Sequence, residues 1–157
     1  MRNQEITISV IGGSKIDKSV EDIAHKIGII IAKVGAILVC GGLLGSMEAA
    51  CKGAKEAGGT TIGLLPGKDK TDANDYVDIA LPTTIGYARN ASVAASGDIV
   101  VALPGSHGTS SEISYGLIYK RPVYDMGGWG RKEMIPVKDL EDLEEKLRKH
   151  VAELKNA

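Results

Sequence analysis

The sequence predicts an α/β fold, a three-layer sandwich in which helices cover both faces of a mainly parallel sheet of six or seven strands. Short apolar runs alternate with longer amphipathic segments along the chain, which is the pattern of repeated strand–helix units. The apolar runs are nearly unbroken, as expected for strands that are buried on both faces. The length of 157 residues suits one domain, so we expect a single domain over residues 1–157.

The first strand and helix form a clear pair. The run ITISVIGG (residues 6–13) predicts a strand that enters a turn, and a helix follows over residues 17–34. Asp17 or Ser19 is expected to cap this helix. Its apolar residues recur at helical spacing and predict one buried face. They are Val20, Ile23, Ala24, Ile27, Ile30, Ile31 and Val34.

The middle of the chain repeats the same alternation. AILVCGG (36–42) predicts a second strand, and a helix follows from about residue 46 to residue 57. TTIGLLP (60–66) predicts a third strand and YVDIALP (76–82) a short fourth one. A helix is then expected over residues 85–96.

The last third of the chain completes the predicted sheet. GDIVVALPG (97–105) predicts a fifth strand, residues 109–119 a helix, and RPVYDMG (121–127) a sixth strand. A final helix carries one apolar stripe, which consists of Leu140, Leu143, Leu147, Val151 and Leu154.

The composition argues against several classes of protein. The formal net charge is −1 and no basic, aromatic-rich face is visible, so we expect neither a nucleic-acid nor a membrane partner. The chain does not open with a signal-peptide pattern, and no apolar run is long enough to span a bilayer, which favours a cytoplasmic protein. Cys40 and Cys51 are expected to be buried, reduced thiols. No cluster of His, Cys, Asp and Glu has metal-ligand spacing, so no metal site is predicted.

Three glycine-rich loops follow predicted strands: GGSK at residues 12–15, GGLLGS at 41–46 and GSHGT at 105–109. Parallel strands end at the same edge of a sheet, so we expect the three loops to lie together, where such folds bind ligands. A glycine loop that enters a helix exposes backbone N–H groups and the positive end of the helix dipole. The loops therefore predict a phosphate site, although neither the dinucleotide fingerprint nor the P-loop spacing is met.

Glu112 follows the third loop and has two interpretations. Thr109 and Glu112 have the spacing of a capping box, in which each side chain bonds the backbone N–H of the other residue. Alternatively, Glu112 serves the site as a base, or as a hydrogen-bond acceptor for a sugar or ring beside the phosphate. The residue pattern alone slightly favours the cap.

Arg89 lies in a segment of small residues just before the fifth predicted strand. A lone arginine is most often a surface residue. If its side chain enters the cleft instead, it would bind a phosphate or pair with Glu112. Asn90 would then donate or accept a hydrogen bond beside it.

Two motifs resemble those of a known family. PGSHGTSSE (104–112) resembles the Pro-Gly-Gly-x-Gly-Thr-x-x-Glu motif of the LONELY GUY family, once labelled as lysine decarboxylases. CGGLLGSMEAA (40–50) resembles that family's Gly-Gly-Gly-x-x-Gly-Leu-Met loop, and the resemblance covers residues 5 to about 125. It implies a Rossmann-like fold, a homodimer or homotetramer, and a nucleoside 5′-monophosphate site. The implied reaction is hydrolysis of the N-glycosidic bond, with Arg89 and Glu112 as the essential pair, and not lysine decarboxylation.

The motifs also depart from that family. Ser106 stands at the second motif glycine, and Asn90 stands where the family has a lysine. The form Ala-Arg-Asn and the run GDIVVALPGSHGTSSEI are closer to a neighbouring branch, the molybdenum cofactor carrier proteins. That resemblance implies binding of a phosphorylated, pterin-like or nucleotide-like cofactor without cleavage. Carrier and nucleotide phosphoribohydrolase are therefore the two functions that the sequence leaves open.

The bound molecule is expected to be a nucleoside monophosphate or the molybdenum cofactor. The residues expected to hold it are Gly12, Gly13, Ser14, Gly41, Gly42, Asn90, Gly105, Ser106, His107, Gly108 and Thr109. Arg89 and Glu112 are the candidate catalytic residues if the protein is an enzyme.

Overall fold

The computed structural model describes residues 3–157 and confirms the predicted fold class. The seven strands of one sheet are β1 (Thr7–Ile11), β2 (Ile37–Cys40), β3 (Thr61–Leu65), β4 (Ile79–Pro82), β5 (Ile99–Ala102), β6 (Val123–Asp125) and β7 (Ile135–Pro136). The α-helices are α1 (Lys18–Lys33), α2 (Ser46–Glu56), α3 (Arg89–Ser96), α4 (His107–Ile118) and α5 (Leu140–Lys155). Each pair of neighbouring strands is parallel, in the order β4-β3-β2-β1-β5-β6-β7.

Helices cover both faces of the sheet, which makes three layers. One core cluster joins the sheet to α1, α2 and α5, through residues such as Ile27, Ala50 and Leu147. A second cluster joins the other face to α3 and α4, through Val93 and Ile113. In residues 3–157 no helix has both the length and the apolar character needed to cross a membrane.

Helices α1 and α2 pack closely because two glycines face each other's backbone. A Cβ on Gly28 would collide with the carbonyl of Ala50, and one on Gly53 would collide with the carbonyl of His25. Only a residue without a side chain fits at either position, so the close crossing of the two helices depends on both glycines.

The order of the strands places a switch point between β1 and β5. The chain first builds β1 to β4 outward, with α1 and α2 on one face, and then crosses through α3 to β5 on the other side of β1. The loops after β1 and β5 meet there, since the N–H of Gly13 donates to the carbonyl of Pro104 at 2.9 Å. Open parallel sheets bind ligands at such a point.

The boundaries of two helices differ from the sequence prediction. Asp17 caps α1 as predicted, because its carboxylate accepts the N–H of Val20 at 3.0 Å. The helix predicted over residues 85–96 starts at Arg89, after a 3-10 turn over Gly86–Ala88. Helix α4 starts at His107, two residues earlier than predicted, which changes the position of every residue within it.

Candidate functional site

A cleft of about 790 Å³ opens at the carboxyl edge of the sheet, over the β1–β5 switch point. The loops after β1, β2 and β5 line it, together with the starts of α3 and α4. The structure brings together most of the predicted site residues in this lining: Gly12, Gly13, Ser14, Gly41, Arg89, Asn90, Ser106, His107, Gly108, Thr109 and Glu112.

Gly42 and Gly105 are the predicted site residues that do not line the cleft. Gly42 is buried with a φ of +77°, and a Cβ there would lie 2.7 Å from Cδ2 of Leu65. A Cβ on Gly105 would collide with the side chain of Thr109 and lie 3.0 Å from the nitrogen of Gly13. Both glycines are required by the packing of the loops on the protein itself.

Six further residues line the cleft that are not among the residues predicted to hold the ligand, which are Leu43, Met47, Tyr87, Ala88, Ser111 and Tyr115. Tyr87 stands at the mouth of the cleft and is 88% exposed. Helical spacing could have indicated two of the others. Ser111 follows Gly108 by three residues and Tyr115 follows Ser111 by four, so all three lie on one face of the helix.

The first turn of α4 presents free N–H groups to the cleft. Ser106 occupies the N-cap without a side-chain capping bond, and its carbonyl accepts the N–H of Ser110 at 2.9 Å. Within residues 3–157, the N–H groups of His107, Gly108 and Thr109 have no hydrogen-bond partner. A Cβ on Gly108 would meet only Nδ2 of Asn90, at 3.6 Å, so a ligand can approach the backbone closely. These groups and the helix dipole form an anion site.

The capping-box interpretation of Glu112 is wrong. Because α4 begins at His107 with Ser106 as its N-cap, Thr109 lies inside the first turn and Glu112 in the second. A capping box needs the acid three positions after the N-cap, and in α4 that position is occupied by Thr109.

Glu112 is instead a buried acid in the wall of the cleft. Its side chain lines the cleft, the residue is 8% exposed, and among residues 3–157 its carboxyl group has no hydrogen-bond partner. Burial raises the pKa of Glu112 from 4.5 to about 8, although the positive charge of Arg89 acts in the opposite direction. The free protein therefore holds this carboxyl group mostly protonated at neutral pH.

Arg89 enters the cleft wall and is 7% exposed, so the surface interpretation does not hold. Its Nε donates to the carbonyl of Leu64 at 2.8 Å and its Nη2 to the carbonyl of Gly41 at 3.4 Å. Its Nη1 donates to Oδ1 of Asn90, and no direct hydrogen bond joins it to Glu112. Burial lowers the pKa of Arg89, and the charge of Glu112 opposes that effect.

Asn90 links Arg89 to the first turn of α4. Its Oδ1 accepts from Arg89, and its Nδ2 donates to Oγ of Ser111 at 3.3 Å. The hydroxyl of Ser111 donates in turn to the carbonyl of Gly108 at 2.6 Å. Both polar atoms of the Asn90 amide are thus used within the protein, which fits a residue that positions its neighbours.

Comparison with known proteins identifies similar chains. A sequence model of the SLOG cluster4 family matches residues 5–155. A molybdenum cofactor binding protein from Rippkaea orientalis has a similar structure, with a TM-score of 0.88, 31% identity and coverage of 96% of this chain and 99% of that chain. The molybdenum cofactor carrier protein of Chlamydomonas reinhardtii gives a TM-score of 0.86 and 33% identity over 95% and 99% of the two chains.

A sequence relative extends this comparison. An uncharacterised protein of Archaeoglobus fulgidus is 43% identical over 110 residues, which are 70% of this chain and 72% of that protein. The two structures confirm the similarity to molybdenum cofactor carrier proteins that the motifs indicated.

Proposed function

The chain belongs to the SLOG cluster4 family, and from this premise we propose that its cleft binds a phosphorylated, pterin-like or nucleotide-like small molecule as a cofactor carrier does. The names of its structural relatives support the class of ligand. The observation that carries the proposal is the set of unpartnered N–H groups at the start of α4, which face the cleft. Uncharged N–H donors at a helix N-terminus are suited to a phosphate.

The predicted residues take different parts in this binding. The phosphate lies on the N–H groups of His107, Gly108 and Thr109, with Ser106 beside them. Gly12, Gly13, Ser14 and Gly41 form the opposite wall, and Asn90 holds Arg89 in place. Gly42 and Gly105 act indirectly, because they let the loops pack tightly enough to form the cleft.

Isothermal titration with GMP, AMP and neopterin 3′-phosphate tests this proposal. We expect saturable binding of at least one of them, and a loss of about 10-fold or more in Gly108→Asp, since the new carboxylate repels the phosphate. Ser92→Ala, an exposed position on α3 outside the cleft, is the control and should bind as the natural chain does. Absence of binding to all three ligands, or unchanged affinity in Gly108→Asp, would contradict the proposal.

A second candidate function is hydrolysis of a nucleoside 5′-monophosphate at its N-glycosidic bond. It is favoured by one observation, the buried acid Glu112, whose pKa of about 8 suits proton transfer near neutral pH. The Arg89 guanidinium would stabilise negative charge in the same cleft. Incubation with nucleoside monophosphates, followed by chromatography for free base, distinguishes the two functions. Release of base that disappears in Glu112→Gln supports an enzyme. Tight binding without release supports a carrier.

We also propose that the protein is a homodimer or homotetramer that assembles through the outer face of α3 and α4. Arg89 is the one base and Glu112 the one acid among the Asp, Glu, Lys and Arg residues of these two helices, and both are buried. The outer face of α3 and α4 therefore presents no Asp, Glu, Lys or Arg of its own. Ile118, at the end of α4, is nevertheless 65% exposed. A symmetric interface places equal surfaces against each other, which two helices without charged residues on their outer face permit. The one charged group hydrogen-bonded to this side of α4 among the described residues is Arg131, which donates to Ser110 and Ser114.

Light scattering coupled to size-exclusion chromatography tests the assembly. Ile118→Glu should shift the mass toward that of a single chain, because it places two like charges in the symmetric interface. Leu44→Glu is the matched control, since Leu44 is 58% exposed on the loop before α2 and lies outside α3 and α4. A monomeric natural chain, or an equal effect of both variants, would contradict the proposal.

A further inference from the structure

We propose that Glu112 recognises the ring of the ligand, by accepting a pair of N–H bonds from a 2-amino-4-oxopyrimidine ring such as that of pterins and guanine. This inference rests on the proposed function and adds the class of ring to it. Such a ring carries a ring N–H and an amino group side by side, and the two oxygens of one carboxylate accept both in a bidentate contact.

The hydrogen-bond inventory of the cleft points to Glu112 as the group that a ligand must complete. A polar group that lines a cleft and has no partner in the protein is open to a hydrogen bond from a ligand. Arg89, Asn90 and Ser111 each have partners inside the protein. Glu112 has none among residues 3–157, although it is more than nine-tenths buried and lines the cleft.

Arg89 favours the carboxylate form of Glu112 without occupying it, and the donor pair of the ligand supplies the rest of the free energy needed to deprotonate the acid. The guanidinium acts on Glu112 through its charge, which favours the deprotonated acid. Its Nε, Nη1 and Nη2 each donate one hydrogen bond, to the carbonyl of Leu64, to Asn90 and to the carbonyl of Gly41, and none of these bonds goes to Glu112. Both oxygens of Glu112 therefore stay open to a donor pair from the ligand.

The position of Glu112 on α4 separates ring from phosphate. The free N–H groups of residues 107–109 lie in the first turn and Glu112 lies in the second, and one turn spans about 5.4 Å along the axis. A molecule with a phosphate at one end and a planar ring at the other can thus contact both. Tyr87 and Tyr115 line the same cleft and offer aromatic faces to such a ring.

The main alternative partner for a carboxylate in this place is a pair of sugar hydroxyls, which also donate two hydrogen bonds. The two alternatives differ in what they discriminate. If Glu112 binds the ring, ligands that differ only in the ring should differ in affinity. If it binds the sugar, ligands that share the sugar should have the same affinity whatever their ring.

The experiment is a calorimetric titration of the full chain with five ligands. GMP and neopterin 3′-phosphate carry the donor pair, IMP lacks the amino group, AMP lacks both donors, and ribose 5-phosphate lacks the ring. We expect at least one of the first two to bind about 10-fold or more tightly than IMP and AMP, as for other bidentate ring contacts. Glu112→Gln should remove this preference and leave the affinity for ribose 5-phosphate unchanged.

Other outcomes separate this inference from the proposed function. Equal binding of the ring-bearing ligands to the natural chain overturns the role of Glu112 in ring recognition, and needs no variant that might fold poorly. An equal loss for every ligand, including ribose 5-phosphate, in Glu112→Gln overturns it in favour of sugar reading, while phosphate binding stands. If none of the five ligands binds, the proposed function itself fails and the inference falls with it.

Discussion

At the scale of single residues, Glu112 and Arg89 show how the cleft holds a buried acid beside a buried base. Each is buried and each alters the pKa of the other, yet they are not joined by a hydrogen bond. Arg89 donates to two backbone carbonyls and to Asn90 and makes no hydrogen bond to the acid. The unpaired acid costs stability, a cost that commonly marks a functional position.

The acid should make stability depend on pH. Because the pKa of Glu112 is about 8 in the folded chain and 4.5 is its ordinary value, the folded state holds a proton that unfolding releases between these values. The free energy of unfolding should therefore fall as pH rises through this window. Glu112→Gln should remove that decrease. Above pH 8 the variant should exceed the natural chain in free energy of unfolding by at most about 4 to 5 kcal/mol, at ~1.4 kcal/mol per pKa unit.

Urea denaturation of both chains at about pH 5 and about pH 9 measures this difference. The gain in Glu112→Gln should be small at the lower pH and larger at the higher one. A gain that is equal at both pH values would show that Glu112 titrates in its ordinary range.

A second residue-scale prediction concerns Asn90. In Asn90→Ala, Arg89 loses an acceptor and Ser111 loses a donor, so the free energy of unfolding should decrease by about 1 to 3 kcal/mol. Ligand affinity should also decrease, because Arg89 and the first turn of α4 lose their connection. Ser92→Ala serves as the control, and an Asn90→Ala chain as stable as that control would contradict the linking role.

The sequence could identify the residue types of the site but not their roles. Arg89, Asn90 and Glu112 were all predicted, because a motif and its neighbours point to them. The capping-box interpretation was wrong because the start of α4 depends on how the loop after β5 packs on Gly13. That contact joins Gly13 to Pro104, which lies 91 positions later in the sequence, so no local pattern contains it. The links of Asn90 depend on tertiary structure in the same way.

At the scale of elements, helix α4 carries the site and its neighbours hold it in place. The carboxylate of Asp125, at the end of β6, accepts the N–H groups of Gly127, Trp129 and Gly130, which fixes the following loop. From that loop, Arg131 donates to the hydroxyls of Ser110 and Ser114 on α4. Arg131 thereby supports α4 over its first two turns, from the side away from the cleft.

Two glycine substitutions distinguish packing from function at this scale. Gly28→Ala should reduce the free energy of unfolding by more than about 2 kcal/mol, since its Cβ collides with the backbone of α2. Gly108→Ala should change it by less than about 1 kcal/mol, because its Cβ meets nothing closer than 3.6 Å.

Thermal or urea unfolding of the two chains provides the comparison, and each glycine is the control for the other. If Gly28→Ala were as stable as Gly108→Ala, the close packing of α1 on α2 would not be needed for the fold. The prediction for Gly108 also ensures that its effect on ligand binding is not an effect of unfolding.

At the scale of the whole molecule, the topology explains why loops far apart in sequence share one cleft. The co-location of the loops after β1, β2 and β5 could be predicted, because it follows from parallel pairing alone. The contribution of Tyr87 could not, since it depends on the 3-10 turn before α3 that no simple periodicity indicates. The location of strand β7 could not be predicted either, because Ile135–Pro136 is too short to show a sequence pattern, unlike the other six strands.

An NMR titration of ¹⁵N-labelled protein with GMP tests most directly whether the first turn of α4 holds the phosphate of the ligand. The amide signals of His107, Gly108 and Thr109 should show the largest saturable shifts, because these N–H groups gain the hydrogen bonds that they lack in the free chain. Saturable shifts elsewhere with these three signals unchanged would contradict the account.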